Sequence, residues 1–134
     1  MERKAVTVYG LEHAVLAARV ATETGVPVNL ISGDSAAAYA GPAWFRSLLE
    51  ETRRQSPDAK IEGALDCDDF TGYALAALRE GLPTIIYDGT ANDAVDDIAR
   101  QCGATVLRRR PESLDARAAD FTGSLEAAMR AWFT

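Results

Sequence analysis

The sequence is poor in the residues that bind transition metals or act as bases and nucleophiles. Its 134 residues include one histidine, two cysteines and two lysines. A closed zinc site needs about four ligands, so His13 with Cys67 and Cys102 cannot build one, and two cysteines do not make a disulfide framework. The only lysines, Lys4 and Lys60, are not placed for Schiff-base chemistry.

Positive charge and long apolar runs are also scarce. The net charge is −6 and the pI is about 4.7, so electrostatic attraction to nucleic acid or to an anionic membrane is not expected. No segment approaches the roughly 20 apolar residues of a membrane span, and Met-Glu-Arg-Lys leads directly into a strand pattern rather than an apolar signal sequence. The glycine-rich nucleotide signatures are absent as well. We therefore expect a cytoplasmic protein that binds neither nucleic acid nor a membrane.

Short β-branched runs alternate with alanine-rich stretches along the chain, and 48% of the residues are hydrophobic. This composition and length are typical of one globular domain, residues 1–134. The polar segment 108–120 is expected to be a connection. The periodicity predicts strands at 5–9, 28–31, 61–65, 84–87 and 104–107, helices at 11–24, 70–80, 92–102 and 124–133, and a longer, mainly helical region at 36–57.

The joint between a helix and the next strand recurs in the sequence. Residues 24–28 (TGVPV) and 80–84 (EGLPT) match each other, and 101–105 (QCGAT) is a looser copy. Each copy places a glycine where the helix should end. Recurring joints of this kind indicate βα units with parallel strands. We predict an α/β fold, a three-layer doubly wound sheet of about five mainly parallel strands, flavodoxin-like or Rossmann-like, with helices on both faces.

Open α/β sheets bind ligands at the carboxyl ends of their strands. Asp66 is the leading catalytic candidate there, because it ends an apolar strand where a carboxylate has little structural reason to be. Asp68 or Asp69 is interpreted as the N-cap of the following helix. Alternatively, Asp66, Asp68 and Asp88 together hold Mg²⁺, which prefers carboxylates. His13 is either a general base or a half-exposed surface residue.

The edge is expected to bind a small polar ligand, with turnover left open. Backbone N–H groups in the turn at 32–35 could hold a phosphate. The arginine run at 108–110 is interpreted as a solvated charge run, or alternating side chains could place Arg108 or Arg110 on an anionic ligand. Cys67 could act as a nucleophile only with His13 as its base, and Cys102 is predicted to lie in the core. The predicted ligand-binding residues are Ser32, Gly33, Asp34, Ser35, Cys67, Asp88, Gly89 and Arg108.

Two other functions are compatible with the sequence. Trp44 beside Phe45, and Trp132 beside Phe133, cannot all point inward, so the protein could instead be a non-catalytic scaffold that self-associates through these residues. In addition, Glu12 and the Asp66-Cys67-Asp68 run resemble the acidic residues of the Toprim catalytic domain, with the glycine displaced by one to Gly72. That resemblance covers a few positions and implies a magnesium-dependent enzyme.

Overall fold

A computed structural model describes residues 3–134 of the chain. The strands are β1 (Lys4–Val8), β2 (Val28–Ser32), β3 (Ile61–Asp66), β4 (Thr84–Ile86), β5 (Thr105–Leu107) and β6 (Ser113–Asp115). The helices are α1 (Leu11–Thr24), α2 (Ala36–Tyr39), α3 (Pro42–Gln55), α4 (Thr71–Glu80), α5 (Asn92–Cys102), α6 (Ala116–Thr122) and α7 (Leu125–Phe133).

The strands form one sheet in the order β5-β4-β3-β2-β1-β6, and the registers that join β1 to β6, β3 to β4 and β4 to β5 are parallel. The predicted three-layer α/β class is therefore confirmed, with six strands rather than about five. The sixth strand was missed because Ser113–Asp115 is only three residues long and lies in a polar segment. Such a strand has too few residues to show an alternating pattern.

The repeated joint has the predicted local structure. Gly25, Gly81 and Gly103 end α1, α4 and α5, with φ angles of 74°, 92° and 69°. Each donates its backbone N–H to carbonyls of the last helical turn. A residue with a Cβ is strained in this left-handed conformation, so glycine at the three positions stops each helix before the next strand.

Contacts divide the chain into two compact units. The first comprises the chain up to Ile31 together with Leu48–Glu62 and Glu112–Thr134. Its core includes the buried alanines of α1, which packs against β1 and α7. The Trp132 Nε1–H donates to the carbonyl oxygen of Ala5 at 2.9 Å, so the indole's one polar group is satisfied within this unit.

The second unit comprises Ser32–Ser47 and Gly63–Pro111. Its core includes Leu65 and Ile85, which are paired across β3 and β4 and completely buried. Helices α4 and α5 pack against each other and against the strands that follow them. Within the described part of the chain, no helix is both long and apolar enough to cross a membrane.

Two local predictions are wrong. Neither Asp68 nor Asp69 is the N-cap of α4, because the N-cap residue is Phe70, whose side chain makes no capping hydrogen bond. Cys102 is exposed rather than in the core, because it is the last residue of α5. A helical face that is buried at Val95 and Ala99 turns toward solvent at the helix end.

Candidate functional site

The second unit contains a cavity of about 500 Å³ at the carboxyl ends of its strands. The strand register explains why charged side chains meet there. Asp66 pairs with Ile86, and Ile86 pairs with Leu107, so β3, β4 and β5 end at one level. The residues that follow these strands therefore surround one space. The lining residues are Asp34, Asp66, Asp68, Ile86, Asp88, Arg108, Arg109 and Arg110.

Asp66, the last residue of β3, is the most enclosed charged group of the cavity, with 4% of its surface exposed. Its Oδ1 accepts the backbone N–H groups of Asp68 at 2.8 Å and Ser35 at 3.3 Å. Its own N–H donates to the Ser32 Oγ at 2.8 Å. A buried carboxylate is costly unless its oxygens are hydrogen-bonded, and these contacts provide that compensation.

Arg110 supplies the counter-charge of Asp66. Its Nη1 lies 2.6 Å from the Asp66 Oδ2 and also donates to the carbonyl oxygen of Ser32 at 3.0 Å. The guanidinium forms a second ion pair, from Nε to the Asp34 Oδ1 at 3.3 Å. Arg110 therefore links the segments that follow β2, β3 and β5. Ion pairs that are this well hydrogen-bonded are more ordered than exposed surface pairs.

One lining residue of the cavity and a residue bonded to it adopt the left-handed backbone conformation that non-glycine residues rarely use. They are Ser35, with φ of 58°, and Asp68, with φ of 53°. The Ser35 Oγ donates to the Asp68 Oδ2 at 2.6 Å, and Asp68 is also bonded through its backbone to Asp66. This network holds two strained residues at the edge of the cavity, where backbone strain is often found in binding sites.

Two charged groups of the cavity have no partner among residues 3–134. They are the exposed side chains of Arg109 and Asp88. Arg108, in contrast, is paired with Asp96 of α5 through two hydrogen bonds of 2.6 and 2.7 Å. A ligand that enters the cavity therefore meets one guanidinium and one carboxylate whose hydrogen-bonding capacity is not already used by the described residues.

Gly89 has a packing role in the loop that carries Asp88. A Cβ on Gly89 would lie 2.4 Å from the hydroxyl oxygen of Tyr87, which is completely buried. That hydroxyl shares a 2.7 Å hydrogen bond with the Thr71 Oγ1 and accepts the Ala91 N–H at 3.0 Å. The Tyr87 ring therefore fixes the path of the loop, and only glycine leaves room for it.

The remaining predicted ligand residues of this unit, among them Ser32 and Cys67, are not lining residues of the cavity. Ser32 and Cys67 have no exposed surface, and the Ser32 Oγ donates to the carbonyl oxygen of Gly33 at 3.2 Å. Burial, followed by the nearby charge of Asp66, raises the pKa of the Cys67 thiol to about 12. Cys67 is therefore a protonated thiol at neutral pH, which is unsuited to nucleophilic chemistry.

His13 belongs to the first unit and is not among the residues that line the cavity. Its Nδ1 accepts the N–H of Tyr9 at 3.1 Å, and the two rings meet edge to face with centroids 6.1 Å apart. The Tyr9 hydroxyl donates to the Asp115 Oδ2 at 2.6 Å, and the Arg117 guanidinium lies 4.0 Å from the Tyr9 ring centroid. His13 thus belongs to a hydrogen-bonded cluster of its own unit.

The sequence did not predict the role of every residue in this cluster and in the cavity. Asp115 ends β6, a strand that the pattern did not reveal. The alternation of side chains along residues 108–110 favoured Arg108 or Arg110 as the anion-binding residue, not Arg109. The structure separates the three arginines by their partners: Arg108 and Arg110 are ion-paired, whereas Arg109 has no partner among the described residues.

The magnesium site predicted at Asp66, Asp68 and Asp88 does not fit this arrangement. Among residues 3–134, no group of three or more histidine, cysteine, aspartate or glutamate side chains is arranged to hold a metal ion. The Asp66 carboxylate is already engaged by two N–H groups and by Arg110. Glu12, the other Toprim-like position, lines a surface depression of the first unit with Leu11, Val15 and neighbouring residues.

The aromatic residues proposed for self-association are mostly covered. Phe133 is 3% exposed, and Trp44 and Trp132 are half-buried. The large apolar side chains that are exposed in the described chain are Leu11, Tyr39, Phe70, Tyr73 and Phe121. Self-association through Trp44, Trp132 or Phe133 stays a prediction.

Comparison with known proteins adds no relative: no family model matches the sequence, and no curated protein matches it significantly.

Proposed function

We propose that the protein binds a small polar ligand, one that carries an anionic group and hydroxyl groups, in the charged cavity of the second unit. The proposal rests on two charges, Arg109 and Asp88, that have no partner among residues 3–134, in a cavity whose other charges are largely paired. Groups that the fold has already neutralised serve the structure. Those that it leaves unpaired are available to a ligand.

The chemistry of the two unpaired groups sets the ligand class. A guanidinium binds a phosphate or carboxylate through two parallel hydrogen bonds. A carboxylate accepts hydrogen bonds from hydroxyl or amino groups. The volume of about 500 Å³ is within the range of small-molecule sites, and the position at the carboxyl ends of parallel strands is where such sheets bind ligands.

The proposal concerns binding. Apart from Ile86, the lining consists of carboxylates and guanidiniums, which orient a ligand, and the buried Cys67 thiol is protonated at neutral pH. A cytoplasmic location is part of the same proposal. It is supported by the free, exposed Cys102, because such thiols persist in a reducing compartment.

The test is a thermal-shift titration with inorganic phosphate, sugar phosphates and nucleotides. A ligand that binds the folded state raises Tm as its concentration exceeds Kd. We expect an anionic, hydroxylated compound to raise Tm in the wild-type protein, and Arg109→Ala to weaken that binding by about tenfold or more, since a charge-assisted hydrogen bond contributes about 1.5–3 kcal/mol.

Arg79→Ala is the matched control. It removes the same charge from an exposed position in the last turn of α4, so it should leave the ligand-dependent shift unchanged. A wild-type protein that responds to none of these compounds contradicts the proposal. So does a shift that survives Arg109→Ala but is lost in Arg79→Ala.

A further inference from the structure

A second, mostly apolar pocket of about 580 Å³ lies at the start of α4. Two aromatic side chains form its walls, Phe70 and Tyr73. Each keeps 42% of its surface exposed, and their rings stand at 80° with centroids 5.9 Å apart. The lining between them is small: Gly72 has no side chain, and Ala76 follows one turn later.

The open space beside the rings is not required by packing. A Cβ at Gly72 would meet no atom within 4 Å, so a larger residue would fit the fold there and would fill the pocket. Phe70 and Tyr73 leave apolar ring surface in water beside this space, and a ligand ring stacked there would cover it. The pocket therefore has the walls and the free volume for a flat ring.

The polar edge of the pocket has both a hydrogen-bond acceptor and hydrogen-bond donors. The exposed carboxylate of Asp69 lines it and has no partner among the described residues. The Phe70 side chain does not cap α4, and the helix begins at the lining residue Thr71, so the N–H groups of its first turn have no side-chain acceptor from the N-cap residue. A ligand matched to this edge needs a donor and an acceptor close together on one apolar, planar body.

These features discriminate between ligand chemistries. An alkylammonium would suit the rings and Asp69 but would be repelled by the positive end of the helix dipole. A hydrocarbon chain would leave the donors and the carboxylate unsatisfied. We propose that the pocket is a subsite for a planar heteroaromatic ring of the nucleobase type, stacked on Phe70 or Tyr73, and that the ligand of the protein is a nucleotide.

The link to the charged cavity comes from the chain itself. Asp68 lines the cavity and Asp69 lines the aromatic pocket, and the Cα atoms of consecutive residues are about 3.8 Å apart. A nucleotide has its base and its phosphate at opposite ends of a ribose, so we infer that one nucleotide occupies these two neighbouring pockets. This inference rests on the proposed function, which assigns the anionic group to the cavity.

The test is calorimetric titration of the full chain with a nucleoside monophosphate, the corresponding nucleoside, and ribose 5-phosphate. Ribose 5-phosphate lacks the base and the nucleoside lacks the phosphate, so each compound isolates one end of the ligand. Tyr73→Ser and Phe70→Ser remove the ring walls, and Tyr73→Phe keeps the ring. Phe121→Ser is the matched control, since Phe121 is 92% exposed and does not line the pocket. All three positions are exposed, so the four variants should fold.

The nucleotide should bind wild type at least about tenfold more tightly than ribose 5-phosphate, the size of effect expected for base stacking. Tyr73→Ser or Phe70→Ser should abolish that advantage without changing the binding of ribose 5-phosphate. Tyr73→Phe and Phe121→Ser should preserve it. Equal binding of nucleotide and ribose 5-phosphate, unaffected by the serine variants, overturns the subsite while the proposed function stands.

The two proposals can also fail in the opposite order. If the nucleoside binds, is lost in Tyr73→Ser and is indifferent to Arg109→Ala, and if ribose 5-phosphate does not bind, the subsite stands and the anion-binding proposal is wrong. If none of the three compounds binds wild type, both are overturned for this ligand class.

Discussion

Arg110 places its Nη1 2.6 Å from the Oδ2 of Asp66, although the two residues are 44 positions apart in the sequence. Asp66 ends β3 with 6% of its side chain exposed, whereas 27% of the Arg110 side chain is exposed. A buried carboxylate is therefore neutralised by an arginine that solvent still reaches. This ion pair connects two lining residues of the cavity that also contains Arg109 and Asp88, which have no partner among the described residues.

The first prediction concerns the stability that this pair provides. Arg110→Met should lower the free energy of unfolding by about 1–3 kcal/mol, because it leaves a mostly buried charge without its partner. Asp66→Asn should also destabilise, since it weakens the acceptor of two backbone N–H groups. Urea denaturation at neutral pH measures both.

Two controls accompany this measurement. Asp88→Asn changes an exposed carboxylate of the same cavity and should alter stability by no more than about 0.5 kcal/mol. The double variant of Asp66 and Arg110 should lose less than the sum of the single variants, because the two groups interact. If Asp66→Asn raised the stability, repulsion from the other carboxylates of the cavity would outweigh the hydrogen bonds and the ion pair that Asp66 makes.

The second prediction concerns the close approach of Gly89 to Tyr87. Gly89→Ala should destabilise the protein by about 1–3 kcal/mol, the usual cost of overpacking a filled interior. Tyr87→Phe should not rescue it, since the added Cβ would also lie 2.5 Å from the ring carbon Cζ. Gly72→Ala is the matched control: its Cβ meets nothing within 4 Å, so alanine in this helix should stabilise by about 0.5–1 kcal/mol. Thermal and chemical unfolding measure whether each substitution lowers or raises the free energy of unfolding.

The third prediction concerns the two thiols. Because burial and the charge of Asp66 raise the pKa of Cys67 to about 12, this thiol should stay protonated and unreactive at pH 8. The exposed Cys102 should react readily with a disulfide reagent such as Ellman's. One equivalent is expected for the folded protein and two in guanidinium chloride. Rapid reaction of two equivalents in the folded state would contradict the buried position of Cys67.

The fourth prediction concerns the acid stability contributed by Asp115. Burial raises the pKa of this carboxyl, but the hydrogen bonds from the Tyr9 hydroxyl and from the backbone of Ala118 and Arg117, with the Arg117 charge, outweigh it and leave the pKa lowered. A carboxylate with a lowered folded-state pKa stabilises the protein above its unfolded value of about 3.9, and this stability is lost as the pH falls through the folded value.

Tyr9→Phe tests this reasoning because it removes the hydroxyl and keeps the ring beside Arg117 and His13. The variant should be less stable than wild type at pH 7 by about 1 kcal/mol, and the difference should shrink below the pKa of Asp115. The carboxyl carbon of Asp115, followed by NMR through an acid titration, should titrate at higher pH in the variant. An unchanged titration would show that the Tyr9 hydrogen bond does not stabilise the charge.

The local features of this protein could be predicted from its sequence. Glycine at residues 25, 81 and 103 ends three helices, because only glycine enters the left-handed conformation without strain. The bounds of α1 and α5 were predicted to the residue, and Asp66 was placed at the end of an apolar strand. These features depend on neighbouring residues and on periodicity, which a sequence shows directly.

Only the tertiary structure decided which charges are available to a ligand. Arg108, Arg109 and Arg110 are identical side chains in a row, yet the fold pairs the first with Asp96 and the third with Asp66 and Asp34. The sixth strand likewise depends on pairing with β1, more than 100 residues earlier in the chain. Ion pairs and strand pairing depend on distance in space. A single sequence shows which residues can form them, whereas the folded chain determines which ones do.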